Sequence, residues 1–196
     1  AALIGPLAEE LGGIAITCDV THMVALQGAL AELKAQAGPV HTLLWNVGPG
    51  VWGNIDEIGI DDMEFAWRTN ALGLFVALQE VLSDMRIAGE GNVLVTGATA
   101  SRRGMPFTTA FAAGKAAQRS LCQSLARQLW PEGIHGARVG IDGRIDLPTT
   151  RADRPDKPDE VFVSPAAVAQ TALHLCRQDR TAWSFELEIR PHLERW

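Results

Sequence analysis

The chain has 196 residues, 47% hydrophobic and 20% charged, a composition that fits one compact domain with a sizeable core. Its net charge of −6 comes with no basic stripe, which argues against a nucleic-acid or anionic-membrane surface. Cys18, Cys122 and Cys176 lie far apart and form neither a disulfide framework nor a zinc motif, and no apolar run reaches membrane-spanning length; a cytoplasmic chain without a metal site is expected.

Short apolar runs alternate with longer helical patterns, the signature of a parallel α/β sheet. The opening Leu3–Leu11 reads as a helix, followed by a strand candidate at Gly13–Cys18 and a helix at Met23–Ala37. A strand at His41–Trp45, a long helix at Asp61–Met85, a strand at Asn92–Gly97 and a second long helix at Pro106–Leu129 come next. Ala137–Ile141 and Ser184–Ile189 complete the strands, with a helix at Pro165–Cys176 between them. Ser164-Pro165 is a good helix start, because the hydroxyl caps free N–H groups and proline suits the first turn. The charged, proline-rich stretch Pro148–Pro158 reads as an irregular, mobile loop.

Two glycine-rich patterns are decoys. Gly48-Pro-Gly50-Val-Trp-Gly53 has the GxGxxG spacing, but that fingerprint works only where its glycines lead into a helix whose N-terminus holds a pyrophosphate. Asn54–Gly59 starts no apolar-periodic helix, so a loop beside a cofactor is the better reading. In Thr96–Gly104, Ser101 and Arg103 stand where a phosphate loop would need glycine, and Arg103 would block close backbone approach.

Phe111-Ala-Ala-Gly-Lys115 follows the run Asn92–Gly97 and a Gly/Ser/Thr loop. This arrangement resembles the active-site segment of the short-chain dehydrogenase/reductases, with phenylalanine at the position of the family's tyrosine. Further landmarks occur in family order from about Leu7 to Pro191. Cys18-Asp19-Val20 resembles the Asp-Val that contacts the adenine ring; read alone, Asp19 is a helix cap. Asn46-Val-Gly48 matches the Asn-Ala-Gly beside the cofactor. Thr69-Asn70-Ala-Leu-Gly resembles the site of the catalytic asparagine, which kinks its helix and holds a water near the catalytic lysine; read alone, Asn70 is a buried helical asparagine. Lys115 matches that lysine, which binds the nicotinamide ribose, although a lone helical lysine is ordinarily solvated. Its spacing from Phe111 puts both on one helical face. Ile141-Asp-Gly-Arg-Ile145 resembles the segment that holds the carboxamide, with Gly143 and Ile145 in place and Asp142 replacing proline.

Three departures accompany these matches. The family's serine is Ala98, and Thr99, Thr96, a water held by Asn70 and Lys115, or Lys115 itself are the candidates to stand in for the lost hydroxyls, Thr99 first among them; its tyrosine is Phe111; and no first βαβ unit with its glycine-rich loop precedes Asp19. The resemblance implies a single Rossmann-like α/β domain over residues 1–196, a doubly wound parallel sheet of order 3-2-1-4-5-6-7, N-terminally incomplete. The strand Gly13–Cys18 is then expected to lack partners, and the molecule to carry a further N-terminal segment. The implied function is NAD- or NADP-dependent oxidoreduction of a small-molecule substrate by a homodimer or homotetramer with an atypical catalytic centre. The alternative is a catalytically silent member acting as a dinucleotide-binding sensor or assembly subunit.

Overall fold

A computed structural model describes residues 4–48 and 50–194. Leu3, the first residue of the expected opening helix, and Pro49, inside the GxGxxG pattern, lie outside the described residues. Helices α1 (Ile4–Leu11) and α2 (Met23–Ala37) precede strand β1 (Thr42–Trp45). Helix α3 (Ile60–Trp67) continues through a π turn at Arg68–Leu72 into α4 (Gly73–Ala88), and β2 (Gly91–Ala98) follows. Then come α5 (Thr109–Leu129), β3 (Ile134–Ile141), β4 (Arg144–Ile145), α6 (Pro148–Ala152), β5 (Phe162–Val163), α7 (Pro165–Cys176) and β6 (Glu186–Ile189).

One parallel sheet has the order β1-β2-β3-β6, and each crossover contains a helix. Alternate residues of β2 serve opposite faces. Val93 and Val95 join Leu74, Val81 and Met85 of α4 and Leu129 of α5, while Leu94 packs with Ala137, Val139 and Leu175 of α7. Burial on both faces explains why β2 reads as a continuous apolar run. No helix among the described residues is long and apolar enough to cross a membrane.

The expected strand Gly13–Cys18 does not form. Residues 13–17 are mostly exposed and make no ladder, and only Cys18 and Val20 reach the core. An extended segment without a neighbouring edge leaves its N–H and C=O groups to water, so apolar content alone does not make it a strand. The second long helix starts at Thr109, not Pro106, because the Thr108 hydroxyl closes a turn onto Met105, accepting from its N–H at 2.8 Å and donating to its carbonyl at 3.0 Å. The Pro148–Pro158 stretch, expected to be irregular, contains α6 and is tied down on both sides. Strands β4 and β5 pair in parallel, and the Arg151 guanidinium bonds Asp146 at 2.6 Å and stands 4.4 Å from the Phe162 ring centre. Ser164 caps α7 as its sequence suggests, accepting from the Ala167 N–H at 3.4 Å.

Candidate active site

The C-terminal ends of β1, β2 and β3 open into a cleft of about 650 Å³, where ligands bind in open parallel sheets. Asn46 and Gly48 come from the end of β1, Ala98 and Thr99 from the end of β2, Gly143 and Ile145 from beyond β3, and Phe111 and Lys115 from α5. Eight of the sequence-selected residues thus meet in one cavity. Asn70 sits beneath it, beside Lys115. Asp19 and Val20 do not line it. The Asp19 carboxylate accepts from the Thr21 N–H and hydroxyl, both at 2.8 Å, and these bonds hold its carboxyl below the usual range. Val20 packs against the core, its carbonyl close to Gly73.

Lys115 is 4% exposed. Its Nζ donates to the carbonyls of Thr96 at 3.1 Å and Val47 at 3.4 Å and to Gln118 Oε1 at 3.2 Å. Burial, then the nearby Arg138 guanidinium, push the ammonium down from 10.5 to about 8. Asn70 is completely buried in the π turn; its Nδ2 donates to the Ala66 carbonyl at 2.9 Å, while Oδ1 has no hydrogen-bond partner among the described residues. Such a turn is a frequent device for aiming a helical side chain at a site.

Gly48 is what lets these groups converge. Its φ of +155° disfavours any side chain, and a Cβ there would stand 2.5 Å from Lys115 Nζ and 2.9 Å from Asn70 Oδ1. Gly48→Ala is therefore expected to displace the ammonium and to cost about 1–3 kcal/mol through strain and overpacking. Urea unfolding checks this, and a variant as stable as the parent would show that the loop simply yields.

Phe111 fills the position of a proton donor with an apolar ring, 4.8 Å from the ring centre of Trp52, which itself lies 6.1 Å from that of Phe107. The Thr99 hydroxyl donates to Asp142 Oδ1 at 2.8 Å, and the Thr108 hydroxyl is spent on the turn to Met105, so neither offers a free proton to the cleft. The Ala98 carbonyl accepts from Arg138 at 2.9 Å and from the Ser101 hydroxyl at 2.6 Å.

Three functional residues escaped the sequence reading. Gln118 bridges Lys115 and Asn70; its signal was a polar residue one turn beyond Lys115 on the same face. Arg138 and Glu186 form a buried ion pair across β3 and β6, where they are register partners. Nothing local marks Arg138, since an arginine within an apolar strand reads as an edge residue. Gly97 makes room for it, because a Cβ there would strike the guanidinium.

The short chain dehydrogenase family profile matches residues 4–141. Oxidoreductase UcpA of Salmonella typhimurium is 30% identical over 173 residues, covering 83% of this chain and 65% of that protein. Human 17-beta-hydroxysteroid dehydrogenase type 1 is 37% identical over 107 residues, 55% of this chain. This chain spans only 33% of that protein, and less than two thirds of each of these curated relatives. Among solved structures, a short-chain dehydrogenase from Rhodopseudomonas palustris shares 33% identity with a TM-score of 0.79, covering 96% of this chain and 82% of that one. A blue fluorescent protein from a metagenomic library, in complex with NADPH, shares 26% identity with a TM-score of 0.83, covering 97% and 81%. The profile match spans well over half of the sequence and takes in both Asn70 and the Phe111–Lys115 helix; the chain belongs to the short-chain dehydrogenase family.

Proposed function

We propose that the chain binds NAD or NADP in the cleft and works as an oxidoreductase on a small apolar molecule. The observation that carries this reading is the convergence of Asn46, Gly48, Lys115, Gly143 and Ile145, from separate segments, around one buried ammonium. The NADPH complex of the metagenomic relative supports the choice of ligand.

The residues present fit the nicotinamide end of such a cofactor. Asn70 Oδ1 is a buried acceptor lacking a partner, and the bare backbone at Gly48 leaves a cradle that any side chain would fill. Lys115, Asn46 and Gly48 would hold the ribose, and the backbone at Gly143 and Ile145 the carboxamide. Bound there, the nicotinamide supplies or accepts a hydride. Lys115 places a positive charge at the floor of the cleft, where low dielectric strengthens its effect on charge that develops during reaction. Trp52, Phe107 and Phe111 form an apolar wall that favours a substrate with a ring or hydrocarbon body. Since the Phe111 ring offers no proton and the Thr99 proton is held by Asp142, a carbonyl oxygen would draw its proton from Lys115 or from water. Carbon–carbon or imine double bonds suit this cleft better than a plain carbonyl.

Phe111→Tyr restores a hydroxyl above Lys115 and is expected to raise carbonyl reduction by about 10²-fold or more. The assay is oxidation of NADH and NADPH by the full-length protein and this variant, against a panel of ketones, enones and imines. If both forms bind the cofactor and neither turns over any compound, the oxidoreductase reading fails. The second reading, a catalytically silent dinucleotide-binding sensor or assembly subunit, would then stand. It is favoured by one feature: both positions that carry hydroxyls in the family are here apolar, Ala98 and Phe111.

A further inference from the structure

Gln118 is completely buried, three residues beyond Lys115 and on the same face of α5. Its amide is used at both ends. Nε2 donates to the main-chain carbonyl of Asn70 at 3.1 Å, and Oε1 accepts from Lys115 Nζ at 3.2 Å. The Asn70 carbonyl belongs to the π turn, where the wider spiral interrupts the ordinary i to i+4 ladder and turns backbone groups toward neighbours. A chain of two hydrogen bonds therefore runs from the distorted backbone, through the amide, to the ammonium at the cleft floor.

We propose that Gln118 is a positioning residue of this site: it ties the Asn70 main-chain carbonyl to Lys115 and aims the ammonium at the cleft. With Gln118 and the carbonyls of Thr96 and Val47, all three ammonium hydrogens have protein acceptors. The longest of these bonds, to Val47 at 3.4 Å, is the one a ligand hydroxyl would replace at least cost. An amide neither releases nor accepts a proton near neutral pH, so Gln118 holds the ammonium without passing its proton on. Lys115 is then held as a fixed charge that faces the cleft. The consequence for reaction rests on the oxidoreductase reading; the bridge itself does not.

The test needs no cofactor. The full-length protein is labelled with ¹⁵N-glutamine, the Gln118 side-chain amide is assigned through its backbone, and its resonances are followed from pH 6 to 10. In parallel, an acylating reagent reports the pH at which Lys115 becomes nucleophilic, read by peptide mass. The expected result is one shared midpoint near pH 8, with Lys115 as the group titrating there. Gln118→Glu is expected to raise the Lys115 midpoint, and Gln118→Leu to lower it, each by about one pH unit. A merely space-filling glutamine would cost stability in both variants and move neither midpoint. Static Gln118 resonances while Lys115 titrates would overturn the proposal, whether or not the variants fold. Failure of the oxidoreductase reading would appear separately, as no binding of NADPH by a protein in which the shared midpoint is still observed.

Discussion

Replacing Glu186 by leucine lowers the stability of the fold by about 3–5 kcal/mol, the usual cost of removing one partner from a buried ion pair. Arg138 and Glu186 are direct register partners on β3 and β6, with side chains 1% and 10% exposed. Both Glu186 oxygens are also taken by Arg119, at 3.0 and 2.9 Å, and Arg102 stands 2.9 Å away. Without the carboxylate, Arg138 remains as an uncompensated cation beneath β2, close to the Lys115 ammonium. Urea unfolding should show a lower midpoint with an unchanged slope. The control is Glu64→Leu: its carboxylate pairs with Arg68 one helical turn on, and with both side chains about half exposed (53% and 41%) its loss costs about 1 kcal/mol or less. Equal effects of the two substitutions would show that the buried pair has no special role. The local consequence reaches the cleft, because Arg138 holds the Ala98 carbonyl and the Ser101 hydroxyl on either side of Thr99. The same cluster sets acid stability. Burial disfavours ionisation of Glu186, but hydrogen bonds from Arg119 and Arg102 outweigh it and hold the carboxyl at about 2, from 4.5. Its stabilisation is complete above pH 4.5 and is lost as the pH falls toward 2.

Between pH 8 and 9 the protein gains about 1 kcal/mol of stability relative to a Lys115→Met variant. The folded ammonium loses its proton near 8, whereas an unfolded lysine keeps its own up to 10.5. Over that interval the unfolded state binds more protons, so stability rises with pH. Below pH 8 both states are charged, and the full burial penalty of about 3 kcal/mol applies. Cys122 limits the useful window when the parent is measured by itself. Burial pushes its thiol up from 9.0 to about 12, so above pH 9 the unfolded chain releases a proton that the folded one keeps. Stability then falls from that source, and only the comparison with Lys115→Met isolates the lysine. Unfolding curves at pH 7, 8 and 9 decide the matter. A constant difference between parent and variant would mean that Lys115 is not held as a buried cation.

Much of this architecture was legible in the chain. The run Asn92–Gly97 became β2, extended by Gly91 and Ala98, because a strand buried on both faces is apolar throughout. Met23–Ala37 and Pro165–Cys176 appear with the expected bounds. The failures have physical causes. Gly13–Cys18 is apolar enough for a strand, but pairing requires an available edge; propensity does not reveal that, whereas the sheet order implied by the resemblance anticipates that the segment lacks partners. Asp61–Met85 reads as one long helix by its periodicity; a kink at Asn70 follows from the family resemblance alone, because the π turn at Arg68–Leu72 leaves no mark in the spacing that Ala66, Ala71 and Leu74 display.

The site divides along the same line. Phe111 and Lys115 lie four residues apart on one helix, so their shared face follows from local geometry, as does the exchange of a hydroxyl for an apolar ring. What Lys115 becomes does not. Its burial, its three acceptors and its lowered proton affinity come from Val47, Thr96, Gln118 and Arg138, four residues on different strands, loops and helix turns. Arg138 meets Glu186 only because two strands 48 positions apart lie side by side in one register. Periodicity acts through neighbours on a helix or strand, and the sequence alone settles it; desolvation and ion pairing depend on distances across the sheet, which only the folded chain sets.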